Sequence, residues 1–400
     1  MRILVVSQGF PKYPGDSTAP FMAPIVATLA ARGHDLDVVI PHHPDFRYPE
    51  GDRVRFVPYR YSPLSRFSPW GFGSSLKGTS RVSAGAALVA PAAMAALRRT
   101  VARALAATAY DVVHAHWLLP NAWAASGPAR KQGVRLVVTL HGSDVAIAER
   151  TWLFRALARR TLDAAGAVTA VSDDLHLRAK RLGADARKVQ TVHLGVDTEA
   201  FQPREPDRAW RARLGADGDA LLVVAVGRLV EKKGFRYLID AVGRTKGTHL
   251  AIVGEGDLRE DLERTASERQ ASVTFVGNLD HSDVSDVLAA ADVVAVPSVI
   301  DRAGNVDGLP TTLLEALASG RAVVASAIAG IPEVVSERAN GLLVPEKDVP
   351  ALVRALSTLR DEPGFRNQLG QEARRRAVAE LDWNATADAF EQAYAGASAS

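Results

Sequence analysis

The 400-residue sequence contains no cysteine. This absence excludes disulfide bonds, thiolate zinc sites and cysteine nucleophiles, and it fits a reducing compartment. The sequence also lacks an apolar run that could span a bilayer, because its longest candidate, residues 84–97, is short and interrupted by Pro91. The first apolar stretch has only about five residues, too few for a signal peptide. We therefore predict a soluble, cytoplasmic protein that could meet a membrane only at its surface.

The glycine fingerprint of dinucleotide-binding proteins, G-x-G-x-x-G, is missing from the loop at residues 7–21. This argues against a nicotinamide-dependent oxidoreductase. No D-x-D motif stands at a suitable strand end, so we predict neither a metal nor an organic cofactor. A zinc site built from His114, His116 and His141 is a weak alternative, because no acidic ligand is obviously near them.

The charge is unevenly distributed along the chain. The net charge is only +3, yet basic residues outnumber acidic ones in the first 110 residues. A basic face there could meet an anionic membrane or a phosphorylated substrate, although a solvated surface would look the same. We expect no nucleic-acid partner. The length and the hydrophobic content of 47% suit two globular domains.

Short β-branched runs alternate with helical stretches throughout the chain. The predicted strands are residues 2–7, 35–40, 54–59, 111–116, 135–142, 167–172 and 189–194, and then 221–227, 249–254, 272–277, 292–298, 322–326 and 341–345. Continuous apolar strands separated by helices imply parallel sheets covered on both faces. The two series predict two doubly wound α/β domains, residues 1–197 and 198–382, facing across a cleft.

The segment GRLVEKKG, residues 227–234, lies at a strand end, where ligands of such sheets bind. Arg228 and Lys233 are five residues apart across the strand-to-helix turn, and the first N–H groups of the helix add positive potential. A diphosphate suits this arrangement, because arginine can bind it bidentately and lysine acts as a compact charge. Two cations on a solvated surface loop are the alternative.

The segment VDGLPTTLLEA, residues 306–316, holds two acids eight positions apart. Pro310 suits the first helical position, which leaves Asp307 in the loop and Glu315 inside the helix. The free N–H groups between them form an anion site, so one carboxylate would lie on each side of a phosphate. The residues predicted to contact a nucleoside diphosphate sugar here are Gly308, Leu309, Pro310, Thr311 and Glu315. An aspartate cap followed by a solvent-facing glutamate is the alternative.

Two further strand ends carry candidate residues. His141 ends a buried strand of the first domain, where it could hydrogen-bond a sugar hydroxyl or carry a proton; a satisfied structural histidine is the alternative. We interpret His114 and His116 as mainly structural or acceptor-side. In the second domain, the backbone at Asn278 and Leu279 could receive a flat base.

Read in order, these segments resemble the retaining, nucleotide-sugar-dependent glycosyltransferases of the GT-B fold (glycosyltransferase family 4, glycosyl transferases group 1). The resemblance covers nearly the whole chain. Its segments are LAARGHDLDVV, DVVHAHWLLP, VVTLHGSD, GVDTEAFQP, VGRLVEKKGF, DGLPTTLLEALASGRAVVAS and GIPEVV. It implies that Arg228 and Lys233 bind the donor diphosphate. It also implies that Glu315 bonds the ribose, while Asp307 and His141 contact the transferred sugar.

Two departures from the family pattern concern the site. The first acid is usually glutamate, and Asp307 shortens its reach by about one methylene. The glycine pair often found in the first loop is absent; that loop, with Gly15 and Asp16, would lie near the acceptor. The resemblance also implies that the final helix, about residues 383–400, crosses back to the first domain.

The sequence thus predicts transfer of a hexose-type sugar from a nucleotide-diphosphate sugar, with UDP or GDP as the nucleotide, to a glycan or lipid-linked hydroxyl. Transfer would retain the anomeric configuration and need no metal, as in polysaccharide biosynthesis. The basic first domain and the aromatic segment 61–77 suit a growing glycan or a lipid-linked sugar as the acceptor, and the basic domain could meet an anionic membrane surface. A sugar-nucleotide 2-epimerase and a non-catalytic nucleotide-sugar-binding protein are the alternatives.

Overall fold

The computed structural model describes residues 1–16, 18–62, 69–72, 76–77, 81–82, 84–216 and 218–396. The chain divides into two compact units. The first consists of Met1–His193 with Trp383–Ser400, and the second is Leu194–Asp382. Each contains one large parallel sheet, of 7 strands in the first unit and 6 in the second. The predicted pair of Rossmann-like, doubly wound domains is confirmed.

The strands in chain order are β1 (Arg2–Val6), β2 (Asp35–Pro41), β3 (Val54–Tyr59), β4 (Leu76–Lys77), β5 (Arg81–Val82), β6 (Val112–His116), β7 (Arg135–Leu140), β8 (Ala167–Ala170), β9 (Val189–Thr191), β10 (Leu221–Val226), β11 (Thr248–Val253), β12 (Val273–Gly277), β13 (Val293–Val296), β14 (Ala322–Ser326) and β15 (Leu342–Val344). All predicted strands are present. Several strands end earlier than predicted, because the backbone of their last predicted residues lies in the following loop. After β7, for example, that backbone donates hydrogen bonds to the Asp144 side chain instead of to a neighbouring strand.

The α-helices are α1 (Met22–Ala31), α2 (Ala84–Ala107), α3 (Trp123–Gln132), α4 (Ser143–Arg150), α5 (Trp152–Ala164), α6 (Asp173–Arg181), α7 (Arg208–Arg213), α8 (Phe235–Gly243), α9 (Arg259–Glu268), α10 (His281–Ala290), α11 (Thr311–Ala318), α12 (Ile331–Val334), α13 (Val349–Asp361), α14 (Pro363–Glu380) and α15 (Trp383–Ala395). Short helical turns lie at Leu118–Ala122, Ala186–Lys188 and Glu231–Lys233. Because helices cover both faces of each sheet, β6 and β11 are buried along their whole length.

The strand orders locate the point in each sheet where the chain reverses its direction of winding. The first sheet has the order β3-β2-β1-β6-β7-β8-β9, and the second has β12-β11-β10-β13-β14-β15. The reversal therefore lies between β1 and β6 in the first unit and between β10 and β13 in the second. Loops at the carboxyl ends of these two strand pairs diverge to opposite faces, which opens a crevice for a ligand.

The last helix, α15, packs against α1, β7 and β8 of the first unit. Phe390 and Tyr394 are buried there, and the Tyr394 hydroxyl lies 2.7 Å from His114 Nδ1. The amino-terminal unit therefore includes a segment from the opposite end of the chain, which supplies part of its core.

Candidate active site

The loops after β10 and β13 meet at the reversal point of the second sheet. Lys233 Nζ lies 2.8 Å from Asp307 Oδ2, and Lys232 Nζ lies 2.5 Å from Asp307 Oδ1. The structure thus brings Lys233, which was predicted to bind the diphosphate, together with Asp307, which was predicted to lie beside it. Arg228 lies at the start of the β10 loop and is exposed.

Glycine allows these two loops to approach closely. Gly234 has φ +69°, and a Cβ atom there would lie 1.9 Å from the carbonyl oxygen of Pro297. The contact is extended by a 2.8 Å hydrogen bond from Val299 N to Lys232 O. Only a residue without a side chain tolerates both this conformation and this contact. The close packing directs the lysines toward the β13 loop.

Asp307 is an ionised carboxylate between two ammonium groups. Its side chain is 15% exposed. Burial alone would raise the pKa of Asp307, but the charges of Lys232 and Lys233 outweigh burial and hold it well below its usual range. The carboxylate therefore neutralises part of the positive charge at this position.

The start of α11 provides backbone donors beside the ion pairs. Pro310 has ψ 124° and is the N-cap, so the prediction that it occupies the first helical position is wrong by one residue. The helix begins at Thr311 without a side-chain cap. The start of α8, whose N-cap is Gly234, also lacks one, whereas Asp348 caps α13. Uncapped first-turn N–H groups lack acceptors within the helix and can bind an anion. The neighbouring loop residues Gly308 and Leu309 are buried.

Glu315 lies inside α11 and is 7% exposed. The alternative of a solvent-facing glutamate is therefore wrong. Glu315 Oε1 lies 2.8 Å from Nε2 of His281, the first residue of α10. This hydrogen bond raises the pKa of His281 above its ordinary value, against the opposing effect of burial. Since Asn278 and Leu279 lie three and two residues before His281, the structure brings the predicted base loop close to Glu315.

In the second unit, Lys232 and His281 contact the two predicted acids, although the sequence analysis did not single them out. Both had a signal in the sequence. Lys232 stands beside Lys233 in the same short turn, and His281 follows a strand end within a run of polar residues. Neither signal says which side chain meets an acid from another loop, because that depends on how the loops pack.

In the first unit, Asp144 organises the backbone around His141. Its carboxylate accepts hydrogen bonds from the N–H groups of Leu118, His141 and Gly142, at 2.7, 3.1 and 2.9 Å. These bonds join the loops after β6 and β7, and they explain why β7 ends at Leu140 rather than at residue 142 as predicted. Gly142, with φ 108°, makes the turn.

Aromatic rings surround His141. Its ring centroid lies 4.9 Å from that of Phe21 and 4.6 Å from that of Trp117. His141 Nε2 lies 3.1 Å from His116 Nδ1, so one of the two nitrogens must carry the shared proton. Burial lowers the pKa of His141 well below its ordinary value and that of His116 to about 3. Both rings are therefore neutral at physiological pH, in a form that can accept or donate a hydrogen bond.

The other strand-end histidine, His114, is satisfied on both sides. Its Nδ1 lies 2.7 Å from the Tyr394 hydroxyl, and its Nε2 lies 2.7 Å from Thr139 Oγ1. Among the described residues, no group of three or more histidines and acids could hold a metal ion, so His114, His116 and His141 form no zinc site there.

Asp16 serves the loop that follows β1. The residue is 8% exposed, and its carboxylate accepts hydrogen bonds from Lys12 N at 2.8 Å and from Thr18 Oγ1 at 3.1 Å. Gly15, with φ 94°, forms the preceding turn. The Asp16 carboxylate thus stabilises its own loop, and a contact of Gly15 or Asp16 with the sugar acceptor stays a prediction.

Most of the aromatic segment 61–77 lies outside the described residues. None of the described helices combines the length and the apolar character needed to cross a bilayer.

Two family models together match most of the chain. Residues 18–195 match the glycosyl transferase 4-like domain, and residues 206–376 match the glycosyl transferases group 1. A curated relative from Corynebacterium glutamicum is the GDP-mannose-dependent monoacylated alpha-(1-6)-phosphatidylinositol monomannoside mannosyltransferase. It is 31% identical over 270 residues, which cover 64% of this chain and 69% of the relative.

Solved structures share the fold at lower identity. Sucrose-phosphate synthase from Thermosynechococcus elongatus superposes with a TM-score of 0.79 at 22% identity, covering 99% of this chain and 98% of that one. HepE from Anabaena, solved in complex with UDP-glucose, gives a TM-score of 0.74 at 18% identity and covers 99% and 100% of the two chains. With its two parallel-sheet units and both family matches, this chain belongs to the group 1 glycosyltransferases and is a glycosyltransferase of the GT-B fold.

Proposed function

We propose that this glycosyltransferase moves a hexose-type sugar from a nucleoside diphosphate sugar to a hydroxyl group of a glycan or lipid-linked acceptor. The transfer retains the anomeric configuration and requires no metal ion. The observation that carries the proposal is the meeting of Lys232 and Lys233 with Asp307 beside the uncapped start of α11. Cations and free N–H groups at a reversal point suit a diphosphate, and the flanking acids suit the hydroxyl groups of its two sugars.

The proposed roles follow from this arrangement. Arg228, Lys233 and the first N–H groups of α11 hold the diphosphate and stabilise its charge as it leaves. Glu315 binds the ribose, and the loop at Asn278 and Leu279 receives the base. Asp307 contacts the transferred sugar when the diphosphate takes its place beside the lysines.

In the reaction, the acceptor oxygen bonds to the anomeric carbon as the bond from that carbon to the β-phosphate oxygen breaks. The acceptor proton passes to the leaving phosphate on the same face of the sugar. His141, neutral and fixed by His116, contacts the sugar near the reacting carbon. Since the positive groups of the protein stabilise the leaving diphosphate, no metal is needed for that task.

The nucleotide is UDP or GDP. The C. glutamicum relative is named for its use of GDP-mannose, and HepE was solved with UDP-glucose. Melting temperatures measured with a panel of UDP, GDP and ADP sugars identify the donor, because a ligand that binds the folded state raises the melting temperature.

The test of the diphosphate site is the replacement of Lys233 by Ala. We expect its affinity for UDP or GDP to fall about tenfold or more, since it loses one charge-assisted contact. Lys246→Ala is the matched control, because this exposed lysine precedes β11 and so lies at the amino ends of the strands, whereas Lys233 follows the carboxyl end of β10. Isothermal titration calorimetry measures both variants, and Arg228→Ala is measured beside them.

Unchanged affinity in both Lys233→Ala and Arg228→Ala would show that the diphosphate binds elsewhere. Retention is tested by NMR of the product's anomeric proton, and an inverted product would contradict it. Transfer that stops with EDTA and returns with a divalent cation would contradict metal independence.

A further inference from the structure

The first turn of α5 exposes three consecutive large apolar side chains. Trp152 is 81% exposed, Leu153 49% and Phe154 38%. The turn is ordered, because Thr151 caps the helix by accepting a hydrogen bond from Phe154 N at 3.2 Å. The buried face of α5 is formed by Ala158, Thr161 and Leu162. Phe154 lies at the edge of this face, one turn before Ala158, whereas Trp152 and Leu153 point away from it. This group of exposed side chains therefore sits on a helix that is anchored in the first unit. Exposed large apolar residues held together in this way indicate an interaction surface.

Exposed arginines precede and follow these apolar side chains along the chain. Residues 150–160 contain four arginines, all exposed, and no acid; the four are Arg150, Arg155, Arg159 and Arg160. The preceding acid, Glu149, is paired with Arg178 at 2.6 Å, and the exposed Asp163 in the last turn of α5 can offset only one of the four charges. We call the four arginines together with Trp152, Leu153 and Phe154 the α5 patch.

The composition of the α5 patch discriminates between classes of partner. In a symmetric dimer built on this patch, two sets of like charges would face each other, which is unfavourable. A soluble polyanion would pair with the arginines but leave Leu153 and Phe154 in water. An anionic bilayer satisfies both halves, since its headgroups attract arginine while the acyl boundary accepts tryptophan, leucine and phenylalanine.

We propose that the α5 patch docks on an anionic lipid bilayer, with Trp152, Leu153 and Phe154 inserted at the acyl boundary and the arginines among the headgroups. Within the first unit, α4 runs from the loop at His141 to Arg150, a helix of about 12 Å. Docking would therefore hold the His141 loop close to the membrane surface. If the proposed function holds, this favours a lipid-linked acceptor over a soluble glycan.

Vesicle flotation of the full-length protein tests the docking. We expect the protein to bind vesicles of phosphatidylcholine with phosphatidylglycerol at low salt and to bind phosphatidylcholine alone only weakly. Binding to the anionic vesicles should be lost at about 0.5 M salt, where the screening length falls to roughly 3–5 Å. The triple variant Trp152→Ser, Leu153→Ser, Phe154→Ser should bind at least about tenfold more weakly, and so should Arg155→Glu.

Two variants serve as matched controls. Leu88→Ser removes a side chain that is 78% exposed on α2 of the same unit, and Lys246→Glu reverses an exposed charge in the second unit. Both should bind the vesicles as the unmodified protein does. Melting temperatures check that the variants fold. Because Phe154 is only 38% exposed, the double variant Trp152→Ser, Leu153→Ser is measured beside the triple variant and should also bind the vesicles more weakly.

Three results would overturn the docking proposal: no binding to anionic vesicles at low salt, equal binding by the triple variant, or a dimer that the triple variant converts to a monomer in light scattering. Melting temperatures with UDP and GDP sugars, measured on the same samples, separate this proposal from the proposed function. A protein that responds to nucleotide but not to vesicles contradicts docking alone. A protein that binds vesicles but no nucleotide contradicts the proposed function alone.

Discussion

Asp307 is held by the same lysine that we propose for the donor diphosphate. Its two carboxylate oxygens lie 2.5 Å from Lys232 Nζ and 2.8 Å from Lys233 Nζ. A diphosphate entering this position would replace the carboxylate as the partner of the lysines. The two anions therefore compete for one pair of cations, although both are proposed to take part in the reaction.

Replacing Asp307 by Asn separates these roles. We expect the affinity for UDP or GDP to rise, by about tenfold, because the competing charge is removed while the shape is kept. Sugar transfer should fall by about 100-fold if the carboxylate contacts the sugar in the transition state. Calorimetry and a transfer assay measure the two effects. A fall in nucleotide affinity would mean that Asp307 positions the lysines instead of competing for them.

The hydrogen bond between His281 and Glu315 should make the stability of the second unit depend on pH. The pKa of His281 is raised above 6.5 in the folded protein, chiefly by Glu315. The protonated form is thus favoured by folding, and its contribution to stability is complete below pH 6.5 and lost as the pH rises through the folded-state pKa. His281→Gln should therefore destabilise the second unit more at pH 6 than at pH 9.

The size of this effect is limited by solvent, because the His281 side chain is 34% exposed. We expect a difference below about 1 kcal/mol between wild type and His281→Gln at pH 6. Urea unfolding of both proteins at the two pH values measures it. A difference that does not change with pH would show that the ion pair contributes nothing.

At the scale of elements, the β10 loop works through its close contact with the β13 loop. Gly234→Ala should lower the free energy of unfolding by about 2–3 kcal/mol, because it adds a clash with the Pro297 carbonyl to the strain of a positive φ. It should also weaken nucleotide binding, since Lys232 and Lys233 would move away from Asp307.

Gly218→Ala is the matched control for this change. Gly218 lies in the same unit with the same φ of +69°, but a Cβ there would meet nothing within 4 Å. This variant should lose only about 1 kcal/mol and keep its nucleotide affinity. Chemical denaturation and calorimetry compare the pair; equal losses in both variants would rule out the loop contact as the cause.

The strands could be predicted from the sequence because their evidence is local. Runs such as residues 221–227 and 322–326 are short, apolar and β-branched, and each is bounded by turn residues. The pairing of Glu315 with His281 could not be predicted from the sequence, since it joins residues 34 apart on two different helices. The one-residue error at Pro310 has a similar origin. A proline suits either the N-cap or the first helical position, and the ψ angle that decides between them depends on the preceding loop.

At the scale of the whole molecule, the first unit depends on the last helix of the chain. Ending the chain after Asp382 removes α15 with its buried Phe390 and Tyr394. We expect this to destabilise the first unit by more than about 3 kcal/mol, the cost of losing one large core side chain. The second unit should keep its nucleotide-induced rise in melting temperature.

Hydrogen exchange followed by mass spectrometry resolves the two units in this experiment. Peptides from β6 and β7 should exchange faster in the truncated protein, while those from β10 and β13 should not. A chain that ends at Gly396 retains α15 and is the control. Equal protection of the first unit in both chains would show that α15 does not support its core.

Local evidence in the sequence determined the α/β class, the two series of strands, the strand ends that carry polar residues, and the family. Apolar runs, turn residues and motif spacing all act over a few neighbouring residues, so they can be read without a fold. Tertiary structure decided which side chains meet: Asp307 with Lys232 as well as Lys233, Glu315 with His281, and His114 with Tyr394 from the last helix. Such contacts depend on strand order and loop packing, and these are set by the burial of the whole chain rather than by any one segment.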